Sequence, residues 1–242
     1  MENIDTLIKW IQESKKTVFF GGAGVSTESG LKDFRSQDGL YHEKYDYPPE
    51  EILSHSFFLS HTKDFYKFYR DKLNPNNYKP NICHKVLARL ESIDKLSSVI
   101  TQNIDGFHQE AGSKKVLELH GSVKRNYCME CHKFYNDEIV FSSSEIPKCT
   151  CGGIIKPDVV LYEEGLDDKV VEEALKEISE ADLLIIGGTS LNVYPAAGFL
   201  NYFHGKHLVL INRDSTTYDC HCDLVFHDSL GKIFQIIEKE VF

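Results

Sequence analysis

The chain has 242 residues, of which 41% are hydrophobic and 26% charged, and its formal net charge at pH 7 is −10. This length and composition are typical of a soluble globular protein that buries a full core and carries a smaller insert. The acidic balance argues against a nucleic-acid partner, which would need clustered basic residues. No apolar run approaches the length of a membrane span, so we expect no membrane partner.

The first part of the chain predicts a helix and then a strand that leads into glycines. Residues 4–11 carry apolar side chains at helical spacing, which indicates an amphipathic helix and not a signal peptide. The short β-branched and aromatic run 17–20 predicts a buried strand. It leads into Gly21, Gly22 and Gly24, which let a backbone approach a phosphate closely. By itself, this stretch is equally compatible with a glycine-rich turn that binds nothing.

The region from residue 36 to residue 83 shows no strand alternation and predicts a segment of short helices. The helical pattern of aromatic residues in this segment ends at the turn cluster 74–77. The aromatic side chains of this segment are expected to form the buried side of its helices: Phe57, Phe58, Phe65, Phe68 and Tyr69.

Two further strands are predicted to end in polar residues. The run 96–100 is followed by Gln102, Asn103 and Asp105, and the strand at 116–119 is followed by His120. Because ligands of parallel sheets bind beyond the carboxyl ends of the strands, these groups are expected to face one crevice. His120 is therefore the leading candidate for a general base. The alternatives are that Asp105 only caps a helix and that the histidine is an ordinary core residue.

Four of the seven cysteines form two close pairs, Cys128 with Cys131 and Cys149 with Cys151, and 17 residues lie between the pairs. This spacing predicts a small ribbon that holds a zinc ion, and the full set of four thiolates makes the metal structural. The gap in the second pair is short, so His132 remains an alternative ligand. Without a secretion signal, such cysteines favour a reducing compartment, and we expect a cytoplasmic protein.

The last third of the chain returns to strands and helices. The strand-like run 155–164 could accept an extended peptide along an open edge. A buried strand at 183–186 leads into a second glycine turn with hydroxyl groups, and the strand 207–211 ends at Asn212, a suitable ribose ligand. A last short strand at 224–226 precedes a closing helix.

The alternation of strands and helices predicts an α/β fold, a Rossmann-like doubly wound parallel sheet with a smaller inserted lobe made of a zinc ribbon and a helical module. A cleft between the sheet and this lobe is the expected binding site. The expected boundaries are a core at about 1–35, 84–122 and 155–242, a helical module at about 36–83, and a zinc-binding insert at about 123–154.

Taken together and in this order, the motifs resemble the sirtuins of bacterial type, which are NAD-dependent protein deacetylases. The resemblance covers nearly the whole chain and implies that 1–242 is a single catalytic domain. It rests on Gly22-Ala23-Gly24-Val25-Ser26, Ser29-Gly30, Asp33-Phe34-Arg35, Thr101-Gln102-Asn103-Ile104-Asp105, His120-Gly121, the four cysteines, Gly188-Thr189-Ser190-Leu191 and Asn212.

The resemblance implies NAD and one structural Zn²⁺ as cofactors, with Cys128, Cys131, Cys149 and Cys151 as zinc ligands. It implies catalytic roles for His120, Asn103 and Asp105. The implied NAD-binding residues are Gly22, Ala23, Gly24, Thr27, Phe34, Arg35, Gln102, Asn103, Ile104, Asp105, His120, Gly188, Thr189, Ser190, Asn212 and Leu230. The implied substrate-binding residues are Val159, Val160, Tyr162, Asn192 and Val193.

The implied reaction moves the acetyl group of acetyl-lysine to ADP-ribose, and it releases nicotinamide and 2′-O-acetyl-ADP-ribose. Acetylated lysine-containing proteins are the implied partners. The family pattern for acidic acyl groups is displaced here, at Tyr66, Tyr69 and Arg70, so we expect neutral acyl groups, mainly acetyl. Lys32 and Glu163 also depart from the pattern, and the extra charge of Glu163 beside the peptide groove predicts a preference for lysine-rich substrates.

Two other functions remain open at this point. A protein mono-ADP-ribosyltransferase would use the same NAD site and transfer ADP-ribose to protein. A zinc-ribbon module that binds NAD without catalysis would act as a sensor, and it would not need His120.

Overall fold

The computed structural model describes residues 2–33, 45–191 and 195–242. In these ranges the α-helices are α1 (Glu2–Glu13), α2 (Gly24–Thr27), α3 (Pro49–Ile52), α4 (His55–Ser60), α5 (Thr62–Lys72), α6 (Ile82–Ser92), α7 (Phe107–Glu110), α8 (Glu138–Phe141), α9 (Asp168–Glu180) and α10 (Leu230–Val241). The strands are β1 (Thr17–Gly21), β2 (Ser98–Thr101), β3 (Val116–Glu118), β4 (Gly121–Cys128), β5 (Phe134–Asn136), β6 (Ile155–Val159), β7 (Leu183–Gly187), β8 (His207–Ile211) and β9 (Leu224–Phe226). Ala196–Tyr202 and Asp219–His221 are 3₁₀ helices.

The main sheet of the described residues is fully parallel and has the strand order β3-β2-β1-β7-β8-β9. Its central strands β1 and β7 are buried along their whole length, and their mainly apolar side chains suit strands that are covered on both faces. The register places Phe19 beside Val99 on one side and beside Ile185 on the other. The predicted doubly wound sheet is therefore confirmed.

Alternate residues of the central strands enter separate hydrophobic cores. Phe19 and Ile185 pack with helices α1, α6 and α10 on one face of the sheet. Phe20 and Ile186 pack on the other face with α9 and the 3₁₀ helix Ala196–Tyr202. This alternation follows from the two-residue period of a strand.

The chain changes direction across the sheet between β1 and β7. From β1 it continues through β2 to β3 at one edge, whereas β7, β8 and β9 extend to the other edge. Gly21 and Gly187, the last residues of the two central strands, lie side by side in the register. In doubly wound sheets, such a switch point is the place where ligands bind.

A smaller lobe combines the antiparallel sheet β5-β4-β6 with the helices α3, α4 and α5. The predicted aromatic residues of the helical segment are all buried in a core that this segment shares with β4 and β6. The Tyr66 hydroxyl donates a hydrogen bond to the carbonyl of Ile155 across the same boundary. The ribbon and the helical module are therefore packed into one unit.

A search of the described residues finds no helix that is both long and apolar enough to cross a membrane.

Candidate functional site

A cleft of about 790 Å³ lies at the carboxyl ends of the central strands, between the main sheet and the small lobe. It is lined by most of the residues singled out from the sequence: Ala23, Gly24, Thr27, Gln102, Asn103, Ile104, Asp105, His120, Val159, Val160, Tyr162, Gly188, Thr189, Ser190, Asn212 and Leu230. Gly22 is not part of this lining. Phe34, Arg35, Asn192 and Val193 fall outside the described residues.

The two glycine turns touch each other at the switch point. The N–H of Gly24 donates to the carbonyl of Gly188 over 2.8 Å. A Cβ on Gly24 would come within 2.8 Å of the Gly188 Cα, and a Cβ on Gly22 within 2.7 Å of the Thr189 Cβ. The close contact explains why these positions are glycine, and it leaves a stretch of backbone without side chains beside the cleft.

Ser26 is the centre of a buried hydrogen-bond network that joins the first glycine turn to the segment after β2. Its hydroxyl donates to Asp105 Oδ2 over 2.7 Å and accepts from Asn103 Nδ2 over 3.1 Å. His84 Nε2 lies 3.5 Å from the same oxygen. The sequence did not single out His84, whose only signal was its place three residues after the helix cap Asn81.

Asp105 is held by hydrogen bonds to both of its carboxyl oxygens. Oδ1 accepts from the backbone N–H of Phe107 over 2.9 Å, and Oδ2 accepts from Ser26, so both oxygens act as acceptors. Burial raises the pKa of Asp105, while these two hydrogen bonds oppose the rise. The network therefore fixes the orientation of a buried carboxyl group that lines the cleft.

The position of His120 defines which of its ring nitrogens can act as a base. Nδ1 lies 2.8 Å from the carbonyl oxygen of Gln102, which can only accept, so Nδ1 carries the proton. The other nitrogen, Nε2, is then left with its lone pair. Burial lowers the pKa of His120 from its ordinary value of 6.5, and the hydrogen bond to Gln102 partly opposes this shift. The imidazole is consequently neutral at pH 7, as a general base must be.

Gln102 keeps a buried donor that has no protein partner among the described residues. Its Oε1 accepts from the Thr189 hydroxyl over 3.0 Å, while Nε2 makes no hydrogen bond there. An unsatisfied buried donor is costly and therefore indicates a ligand or water partner. Together with the backbone exposed at the glycine turns, this donor set fits a dinucleotide with phosphate and amide groups.

The sequence predicts that an extended peptide pairs with an open edge of β6. The edge that faces away from β4 is only partly open, because two backbone groups along it already bond to side chains. The carbonyl of Val159 accepts from Lys156 Nζ over 3.1 Å, and the N–H of Leu161 donates to Glu164 Oε2 over 2.8 Å. On the other side, the N–H of Val160 donates to the carbonyl of His120 over 3.0 Å. The base and the strand that is expected to bind substrate are thus directly connected.

The four paired cysteines lie together in the ribbon as a group that could hold a metal ion. Their Sγ atoms all lie within 4.8 Å of one another. Zinc–sulfur bonds of about 2.3 Å place the thiolates of a tetrahedral site about 3.8 Å apart, so the cluster fits zinc. His132 lies outside this group; it takes a left-handed backbone and donates its N–H to the carbonyl of Cys128. The alternative ligand is therefore not required.

The side chains considered for acidic acyl groups do not line the cleft. Tyr69 is fully buried, and Arg70 donates from Nε to the carbonyl of Val140 over 2.8 Å. Arg70 therefore faces the ribbon insert and not the site.

Comparison with known proteins agrees with these features. The Sir2 family model matches residues 22–195. An NAD-dependent protein deacetylase of Clostridium acetobutylicum is 56% identical over 241 residues, which are 98% of each chain. One of Clostridium perfringens is 58% identical over 236 residues, 96% of this chain and 97% of its own. A solved structure of Sir2 with a p53 peptide and NAD⁺ superimposes with a TM-score of 0.88 at 37% identity, covering 98% of both chains.

Proposed function

The chain belongs to the Sir2 family, and from this premise we propose that it is an NAD-dependent protein lysine deacetylase. It transfers the acetyl group of acetyl-lysine to ADP-ribose and releases nicotinamide and 2′-O-acetyl-ADP-ribose. The observation that carries this proposal is the neutral imidazole of His120, with a free Nε2, in the same cleft as Asn103 and Asp105.

NAD is consumed in this reaction and supplies a ribose whose bond to nicotinamide is broken. The glycine turn would hold its phosphates at Gly22, Ala23, Gly24 and Thr27, since the small residues of the turn let a phosphate approach the backbone closely. Phe34 and Arg35 are proposed to cover the nicotinamide ribose. The adenosine half is assigned to Gly188, Thr189, Ser190, Asn212 and Leu230.

Gln102, Asn103, Ile104 and Asp105 are assigned to the nicotinamide end. Gln102 offers the orphaned Nε2 donor, and Asn103 is oriented by its hydrogen bond to Ser26. Breaking the bond to nicotinamide leaves positive charge on the sugar, which the fixed carboxylate of Asp105 stabilises in a site that excludes water. His120 then takes a proton from a ribose hydroxyl at Nε2, while Nδ1 stays bonded to Gln102.

The partners are proteins that carry acetyl-lysine, and their peptides are expected to extend along Val159, Val160 and Tyr162, with Asn192 and Val193 on the opposite side. The position of Arg70 outside the cleft supports neutral acyl groups, with acetyl as the main one. We also propose that residues 1–242 act as one catalytic domain. The four thiolates need a reducing environment to bind zinc, which supports a cytoplasmic location.

The test incubates the purified protein with an acetyl-lysine peptide, with and without NAD, and measures O-acetyl-ADP-ribose by mass spectrometry. We expect the product only with NAD, and His120→Ala should lower kcat by about 10²–10⁴-fold because a general base contributes that much. NAD binding, followed by calorimetry, should persist in this variant.

His204→Ala is the matched control, since His204 is an exposed histidine outside the cleft lining. Transfer of label from NAD to protein without loss of acetyl would instead indicate an ADP-ribosyltransferase. NAD binding without any product would indicate a sensor. Either result would contradict the proposal.

A further inference from the structure

The loop that follows β6 is bonded to the start of helix α4 by its backbone. The N–H of Tyr162 donates to the carbonyl of Leu53, and the N–H of His55 donates to the carbonyl of Tyr162, each over 3.0 Å. This pair of hydrogen bonds is a short parallel bridge between Ser54 and Tyr162. The position of the loop beside the cleft is therefore fixed by the helical module as well as by β6.

Glu163, the next residue, has a backbone conformation that glycine usually supplies. Its φ is +75°, in the left-handed region. Among the described residues its carboxylate is bonded to Ser56 alone: Oε2 accepts from the N–H of Ser56 and Oε1 from the Ser56 hydroxyl, both over 2.9 Å. Two hydrogen bonds to a charged acceptor thus hold a conformation that the side chain itself disfavours.

Glu164 extends the same attachment by one residue. Its Oε1 accepts from His55 Nδ1 over 2.8 Å, while Oε2 accepts from the N–H of Leu161. Consecutive carboxylates therefore bind consecutive residues of α4. Because the loop lines the cleft, its conformation determines where its backbone can meet a substrate chain.

We propose that Glu163 is a positioning residue for the acyl-lysine peptide, which it serves by holding the loop after β6 through its two hydrogen bonds to Ser56. This inference rests on the proposed deacetylase function and deepens it. The charge of the same carboxylate still predicts a preference for lysine-rich substrates, and the hydrogen bonds to Ser56 add a geometric role that does not depend on the charge of the peptide.

The test compares peptide kinetics of four variants on two acetyl peptides, one with basic and one with neutral flanking residues. Glu163→Ala keeps the strained backbone and loses both acceptors, so the peptide KM should rise about tenfold on both peptides. The kcat and the KM for NAD should stay within about twofold, since the catalytic groups are untouched. Glu163→Gln should recover the peptide KM to within about twofold, because its amide can accept from the Ser56 N–H and donate to its hydroxyl.

Two further variants separate the backbone from the side chain. Glu163→Gly adopts the left-handed φ without strain, and its peptide KM should fall between those of the wild type and Glu163→Ala. Ser56→Ala removes one of the two hydrogen bonds and should raise the peptide KM by about two- to threefold, since one such bond is worth that much at an exposed site. Glu172→Ala, which removes an exposed carboxylate outside the cleft lining, is the control.

Amide hydrogen-exchange rates of residues 53–56 and 161–164, measured without substrate, test the attachment of the loop without relying on enzyme activity. Glu163→Ala should speed exchange at Ser56 while the melting temperature and the exchange of the main sheet stay unchanged. If the wild type made no O-acetyl-ADP-ribose, the proposed function would fail, whereas this exchange result would still decide the attachment. An unchanged peptide KM and exchange rate in Glu163→Ala, or a loss confined to the basic peptide, would overturn the proposal.

Discussion

The floor of the cleft and its rim differ in how deeply their polar groups are buried. The floor consists of Ser26, residues 102–105 and His120, and the rim consists of residues 53–56 and 161–164. In the floor, Ser26 is 3% and Asp105 8% exposed, and each has several partners. In the rim, Ser56 and Glu163 are exposed, and their contacts lie at the surface.

This difference predicts which property each region controls. A buried polar group that loses its partner costs about 1–3 kcal/mol, whereas an intact hydrogen bond contributes only about 0.5–1.5 kcal/mol net, and at the surface its groups can bond to water instead. Changes in the floor should therefore affect both stability and turnover. Changes in the rim should affect mainly the binding of the peptide, since no reacting group depends on them.

The largest loss of activity is expected when the small lobe, which supports the rim, is unfolded. Cys149 is buried in the ribbon with Cys128 and Ile155, and its sulfur also accepts from the Tyr135 hydroxyl over 3.1 Å. Structural zinc contributes about 10–16 kcal/mol to the folding of small domains, so Cys149→Ser should lose zinc, unfold the ribbon and abolish deacetylation.

Zinc content measured by mass spectrometry and the melting profile would check this prediction. Cys220→Ser is the control, because Cys220 is exposed and lies outside the metal cluster. A Cys149→Ser protein that kept one zinc per chain and full activity would contradict the structural role of the site.

A smaller change tests the floor alone. Ser26→Ala leaves Asp105 Oδ2 and Asn103 Nδ2 without the partner they share. We expect a loss of about 1–3 kcal/mol in the free energy of unfolding. We also expect a fall of about 10–100-fold in kcat, because Asp105 keeps only its hydrogen bond from the Phe107 N–H and is less firmly oriented.

Urea unfolding and steady-state kinetics would measure both effects. Ser113→Ala is a matched control: its hydroxyl is also buried but has no hydrogen-bond partner among the described residues, so the change should stay within about 0.5 kcal/mol. Equal effects of the two substitutions would show that the network around Ser26 has no special role.

The sequence alone was sufficient for features that are local in the chain. The strand 17–20 could be predicted because its side chains suit a strand buried on both faces, and the glycines that follow are required by the contact between Gly24 and Gly188. The cysteine cluster could be predicted because the spacing within and between the two pairs is typical of a short zinc ribbon.

Contacts between distant residues could not be predicted in the same way. Ser26 and Asp105 are 79 positions apart, and Ser56 and Glu163 are 107 apart. The first pair depends on the pairing of β1 with β2, and the second on the contact of the helical module with the loop after β6, neither of which a local pattern encodes. For this reason the sequence does not reveal the contact of His84 with Ser26 or the hydrogen bonds that Ser56 donates to Glu163.

The central claim is that His120 is a neutral imidazole whose Nε2 carries no proton and lies in the cleft. The most direct test is ¹⁵N NMR of the ring during a pH titration. The His120→Ala variant identifies which signal belongs to His120. We predict a proton on Nδ1 at pH 7 and a pKa below 6.5, because burial disfavours the charged ring. Since the protonated ring cannot act as a base, kcat/KM should fall only as the pH drops through that lowered pKa. A proton on Nε2 at pH 7, or a pKa above 6.5, would contradict the account.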